Sequence, residues 1–133
     1  MNKIEAKVSK IESVENLNLV NFLFNENTLT MISLELNKRV KKNKKVLLNI
    51  KPTNISLAKN FEGLISSSNK LTGKIVSIER GKLLSGVICD VNKVLMEAIV
   101  TTKSLDQMNL SLRENIVLLF KASDLAIEEV YDD

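Results

Sequence analysis

The stretch Asn69-Lys70-Leu71-Thr72-Gly73-Lys74-Ile75-Val76-Ser77-Ile78 decides the fold class. Leu71, Gly73, Ile75 and Ser77 fall on one face of an extended chain, because side chains in a strand point alternately to its two sides. The segment from Lys3 to Ile11 does the same, with Ile4, Ala6, Val8 and Ile11 set against Lys3, Glu5, Lys7 and Ser9. Working outward, short apolar runs follow at close spacing over 17–24, 29–36, 46–50, 83–89, 94–100 and 116–120. Turn residues punctuate them at Glu15-Asn16, Asn25-Glu26-Asn27, Arg80-Gly81-Lys82 and Asp90-Val91-Asn92. Many short strands so spaced predict an all-β barrel or sandwich. Only 102–112 lacks strand alternation, and there Ser104 is expected to cap a short helical turn.

Composition narrows the function. The chain has 133 residues, 44% hydrophobic and 26% charged, which is globular rather than disordered. It has no histidine, which excludes imidazole metal sites and Ser-His-Asp or Cys-His catalysis. A single cysteine, Cys89, forms no internal disulfide and no zinc site, and in its apolar run it reads as a buried small hydrophobe. No apolar run is long enough to span a bilayer, and the N-terminus lacks an apolar signal region. A cytoplasmic protein without membrane insertion is expected. The net charge of +3 does not by itself call for nucleic acid.

The chain repeats itself. Asn2-Lys3-Ile4 and Lys7 answer to Asn69-Lys70-Leu71 and Lys74. Val46-Leu47-Leu48-Asn49-Ile50-Lys51-Pro52-Thr53-Asn54-Ile55 lines up with Ile116-Val117-Leu118-Leu119-Phe120-Lys121-Ala122-Ser123-Asp124-Leu125. Two copies of one unit are expected, over 1–62 and 63–133, with Gly63 and three serines at the junction. A unit of about 65 residues buries only ~60% of its unfolded surface, so the two should pack together or assemble across chains.

Three clusters in the second half offer hydroxyls, N–H groups or a lysine, but no base: Ser66-Ser67-Ser68-Asn69, Thr101-Thr102-Lys103-Ser104 and Lys121-Ala122-Ser123. Such donors suit a tetrahedral oxyanion. The blander reading is a serine linker and a helix cap.

Residues 65–130 resemble the Mop (molbindin) domain, also called TOBE, which binds molybdate and tungstate. The family's Ser-Ala-Arg-Asn lead and Leu-x-Gly-x-Val-x-x-Ile strand answer to Ser66-Ser67-Ser68-Asn69 and to Leu71-Thr72-Gly73-Lys74-Ile75-Val76-Ser77-Ile78. Its glycine hairpin answers to Glu79-Arg80-Gly81-Lys82. Its Thr-x-x-Ser segment is Thr101-Thr102-Lys103-Ser104, and its Lys-Ala-Ser is Lys121-Ala122-Ser123, followed by a short apolar strand. The first half is similar but degenerate: Ser33 replaces the threonine, Leu36 the second hydroxyl, and Lys51-Pro52-Thr53 replaces Lys-Ala-Ser. The whole is similar to a tandem, or di-Mop, molbindin.

The resemblance implies two five-stranded barrels of the OB-fold type, each with a short helical turn. It also implies oxyanion sites between subunits of a homo-oligomer, a trimer or a dimer. One wall would be Ser66, Ser67, Ser68, Asn69, Lys121, Ala122 and Ser123; the other, from a second copy, would be Thr101 and Ser104. A weaker first-half site would use Ser33, Lys51 and Thr53. The ligand would be molybdate or tungstate, held without a cationic metal centre and without catalysis, for intracellular molybdenum storage or homeostasis. Ser68 stands where the family often has arginine, so Lys121 becomes the main cation. A cage of donors alone would reject phosphate, which carries a proton and needs an acceptor.

Rival readings remain. The chain could be the effector part of a molybdate-responsive regulator, an accessory domain of a molybdate-transporter ATPase, or a module that has lost its ligand. The basic run Lys38-Arg39-Val40-Lys41-Lys42-Asn43-Lys44-Lys45 reads as a solvated loop, with anion steering or DNA contact as the functional alternatives. The apolar settings of Phe22, Phe24 and Phe120 point to core packing, so a stacking surface for nucleic acid is not expected.

Overall fold

The computed structural model describes residues 1–132. Ten strands run in chain order: β1 (Asn2–Val14), β2 (Leu17–Phe24), β3 (Asn27–Ser33), β4 (Lys45–Ile50), β5 (Ser56–Ala58), β6 (Asn69–Glu79), β7 (Leu84–Val91), β8 (Val94–Thr101), β9 (Asn115–Phe120) and β10 (Ala126–Val130). The single α-helix among the described residues, α1 (Thr102–Gln107), follows β8, and 3₁₀ turns at Pro52–Asn54 and Ala122–Asp124 follow β4 and β9. Two five-stranded antiparallel sheets result, in the orders β10-β4-β1-β2-β3 and β5-β9-β6-β7-β8. The all-β, tandem five-stranded architecture expected from the sequence is the one observed.

Sheet membership crosses the junction at 62/63. β5, from the first half, pairs with β9 through Ser56↔Leu119 and Ala58↔Val117. β10, from the second half, pairs with β4 through Ala126↔Asn49 and Val130↔Val46. Each sheet is thus completed by the last strand of the other half.

The long strands owe their shape to a repeated irregularity. Register shifts between Val8 and Lys10 in β1, and between Ile75 and Ser77 in β6. Each bulge adds one residue and bends the strand. It also explains why Ile11 joins the apolar face out of step with Val8. In β6 the same slip puts Ile78, rather than Ser77, against the core. Gly73 is needed where β6 crosses β7, since a Cβ there would lie 2.9 Å from Val91 Cγ2 and 3.0 Å from the Asp90 carbonyl. The hairpins turn tightly, with Asn25 and Asn92 in the left-handed conformation that asparagine tolerates.

One apolar core joins both halves, with Phe22, Ile4, Leu48, Phe120, Leu71 and Met96 fully buried. Phe24 and Cys89 are buried as expected, and burial pushes the Cys89 thiol up to about 11. The basic run is a loop whose Val40 is buried. Its backbone docks on β1, with Val8 N–H donating to Lys44 C=O at 2.9 Å and Asn43 N–H donating to Val8 C=O at 2.7 Å. Arg39 pairs with Asp132. No helix among the described residues is long and apolar enough to cross a membrane.

Candidate oxyanion site

The chain leaves β9 through Lys121, whose backbone is extended, and turns at once through Ala122–Asp124. The turn is closed from both ends. Asp124 N–H donates to Lys121 C=O at 3.0 Å, and Lys121 N–H donates to Asp124 Oδ2 at 3.2 Å. The serine segment enters β6 alongside it, because Asn69 pairs with Phe120 in the β6–β9 ladder. The two segments border a surface pocket of about 220 Å³ whose polar lining is Asn54, Ser56, Ser66, Ser67, Lys121 and Asp124. Lys121 is exposed, and among the described residues no carboxylate forms an ion pair with it.

Of the residues expected in one wall, Ser66, Ser67 and Lys121 therefore converge. Ser68, Ala122 and Ser123 are their chain neighbours but do not line the pocket. Asn69 is fully buried, and its carboxamide is occupied by the backbone of Thr30. Three lining groups were not anticipated. Asn54 and Ser56 come from the first half, Ser56 on the exchanged β5 and Asn54 at the end of the 3₁₀ turn before it. Asp124 supplies an acceptor, so the expectation that this wall holds donors alone does not stand. The repeat alignment held a clue, since Asn54 and Asp124 are equivalent positions in the two copies.

Thr101 and Ser104 lie apart from this pocket, at the start of α1. Ser104 does not cap the helix; Thr101 does. The Thr101 hydroxyl accepts from Ser104 N–H at 3.1 Å and donates to Ser104 Oγ at 2.9 Å. Thr101 has the extended backbone of a cap residue, and Thr102 after it begins the helix with its side chain turned inward. Thr102 is buried, and its hydroxyl donates to Gly81 C=O at 2.9 Å and lies 2.8 Å from Ser85 Oγ. This network fixes α1 against the β6–β7 hairpin. Arg80 fastens the same contact from outside with a bidentate pair to Asp106, one arm of which is 2.7 Å. That guanidinium holds the Asp106 carboxyl below its ordinary range.

The first-half residues do not form a comparable group. Ser33 donates to Glu35 C=O and borders a cleft of about 570 Å³ whose charged lining is Glu35, Glu128 and Glu129 with Arg39, three acids to one cation. Lys51 precedes and Thr53 lies within the other 3₁₀ turn, which packs on β8 rather than near Ser33. No group of three or more His, Cys, Asp or Glu among the described residues is placed to hold a metal ion.

Residues 65–127 match the TOBE domain family. Among solved structures, the chain is similar to the cytoplasmic molybdate-binding protein ModG, crystallised with molybdate bound. The two share 20% identity over 95% of this chain and 94% of that one, with a TM-score of 0.87. No curated protein matches the sequence. The tandem fold of this chain is thus that of ModG, and its second half matches the TOBE domain family over residues 65–127.

Proposed function

We propose that this protein binds molybdate or tungstate, without catalysis, for intracellular molybdenum storage or homeostasis in the cytoplasm. The observation that carries the reading is the convergence of Ser66, Ser67 and Lys121 on one pocket, inside the segment that matches the TOBE family. That ModG binds molybdate on the same fold supports it. Hydroxyl and amide donors satisfy the oxygens of a tetrahedral dianion, and the Lys121 ammonium strengthens the set as a charged donor.

The pocket is open, and a second copy of the chain completes it with Thr101 and Ser104. Exposed apolar residues flank both walls in a way that supports this. Leu64 and Ile65 precede Ser66, at 100% and 41% exposure, and Leu83 and Leu84 stand beside Thr101, at 82% and 58%. Leu84 is the direct cross-strand partner of Thr101. Burying these surfaces while closing the site would link anion binding to assembly by mass action.

Isothermal titration of molybdate, tungstate and sulfate into the protein and into Lys121→Ala tests the reading. Micromolar or tighter binding of the two metal oxyanions, weakened about ten- to a hundredfold by loss of the charged donor, is the expected result. No heat from any of the three anions at millimolar concentration would refute it.

A further inference from the structure

The acid in the pocket is at odds with a cage made for bare dianions. Asp124 lines the same pocket as Lys121, Ser66 and Ser67. One of its oxygens, Oδ2, is held by the Lys121 N–H at 3.2 Å, which fixes the carboxylate in place. Oδ1 has no hydrogen bond from the described residues and is left as an acceptor. The repeat supplies an internal comparison, because the equivalent residue, Asn54, is neutral and lines the pocket beside it.

We propose that Asp124 determines which oxyanions this pocket takes, accepting a hydrogen bond from an anion that carries a proton and repelling one that carries none. This rests on the oxyanion reading above. A fixed carboxylate beside a dianion costs Coulomb energy that the nearby ammonium only partly offsets. An O–H on the anion converts that repulsion into a charge-assisted hydrogen bond. Near neutral pH every phosphate species retains at least one O–H, whereas sulfate and molybdate have none. Phosphate should therefore compete better than sulfate, the reverse of what donors alone would give.

Asp124→Asn is the informative variant. An asparagine oxygen still accepts from Lys121 N–H, so the turn is kept while the charge is lost. Titrations of molybdate, sulfate and phosphate into the full chain and into Asp124→Asn are compared, with thermal unfolding as a check on the fold. The expected result is molybdate and sulfate binding about tenfold tighter in the variant, with phosphate losing its advantage over sulfate. Should Asp124→Asn perturb folding, Asp124→Ser, which also retains a capping oxygen, carries the same expectation. Unchanged molybdate affinity in a folded variant, or equal competition by phosphate and sulfate in the wild type, overturns the role of Asp124 while leaving oxyanion binding intact. Absence of binding by all three anions to both proteins overturns the oxyanion reading itself, and the inference with it.

Discussion

The Asn69 side chain grips the Thr30 backbone at two points, accepting from Thr30 N–H at 2.7 Å and donating to Thr30 C=O at 2.9 Å. Asn2, its repeat equivalent, holds Glu97 in the same way, with both bonds at 2.8 Å. Thr30 and Glu97 lie on β3 and β8, which are the edge strands of the two sheets. The outward backbone groups of an edge strand are otherwise unpaired and open to wrong partners. Each half thus uses one buried asparagine to seal an edge of the other. Asn69→Ala should strand both Thr30 groups and lower stability by about 2–4 kcal/mol. Its urea midpoint should fall well below wild type, and Asn69→Asp, which would set a buried carboxylate against the Thr30 carbonyl, should fall at least as far at neutral pH. A midpoint within experimental error of wild type for Asn69→Ala would show the clasp to be inert.

Thr102→Val keeps the shape of the side chain and removes its hydroxyl. The buried Ser85 hydroxyl and the Gly81 carbonyl would then lose their shared partner. A loss of roughly 1–3 kcal/mol is expected, the range for leaving a buried polar group unsatisfied. Because this network seats α1, anion affinity should fall as well, although Thr102 touches no proposed ligand. Denaturation and titration of one sample read both effects. Weakened stability with unchanged affinity would show that the position of α1 does not matter to the site.

The eight longer strands were legible because each has one buried face, and alternation records that face directly. Even the bulge in β1 left a trace, in the odd spacing from Val8 to Ile11. β5 and β10 were harder to read from the residues. They are short, their partners lie far away in sequence, and half-buried edge strands carry little alternation; only the family resemblance hinted at β10. In the site, residue type singled out Ser66, Ser67 and Lys121, and the structure sets the three around one pocket. It misassigned the helix cap, because Thr101 and Ser104 both have capping side chains and only backbone geometry separates them. Asp124 was missed because an acid after Lys-Ala-Ser reads as an ordinary turn former until the turn is seen to face the serines.

The linker is tied down by Lys59, whose ammonium donates to the carbonyls of Met108 at 3.0 Å and Asn109 at 3.1 Å and pairs with Glu114 at 2.8 Å. The Lys59 hydrogen bond holds the Glu114 carboxyl below its ordinary range. A depressed folded value means stability that is present above the unfolded value, about 4.3, and lost as pH falls through the folded one. Unfolding midpoints of wild type and Glu114→Gln should therefore differ near neutral pH and converge in acid, by about pH 3. A gap that stays constant with pH would mean that the ion pair contributes nothing beyond packing.

Burial raises the Cys89 thiol to about 11. The sign is opposite to that of Glu114: its contribution is intact below the unfolded value, about 8.5, and is lost as pH rises through the folded value. The thiolate is the reactive species, so the native thiol should resist a maleimide at mildly alkaline pH and react promptly once urea unfolds the chain. Rapid native-state labelling at the rate of a free thiol would show that β7 opens locally.

The exchanged strands make a prediction about the two units themselves, proposed here as repeats spanning 1–62 and 63–133. If each repeat were a self-sufficient barrel, either fragment would fold alone. In the structure, residues 1–62 lack β10, which covers β4, and the clasp of Asn69 on β3. Residues 63–133 lack β5, which covers β9, and the clasp of Asn2 on β8. The core is also shared, so separation exposes apolar surface in both. Separately produced fragments should show no cooperative thermal transition by circular dichroism, and mixing them should restore one. Cooperative unfolding of the 63–133 fragment by itself would mean that the exchanged strand and clasp are dispensable there, leaving the second barrel as an independent domain.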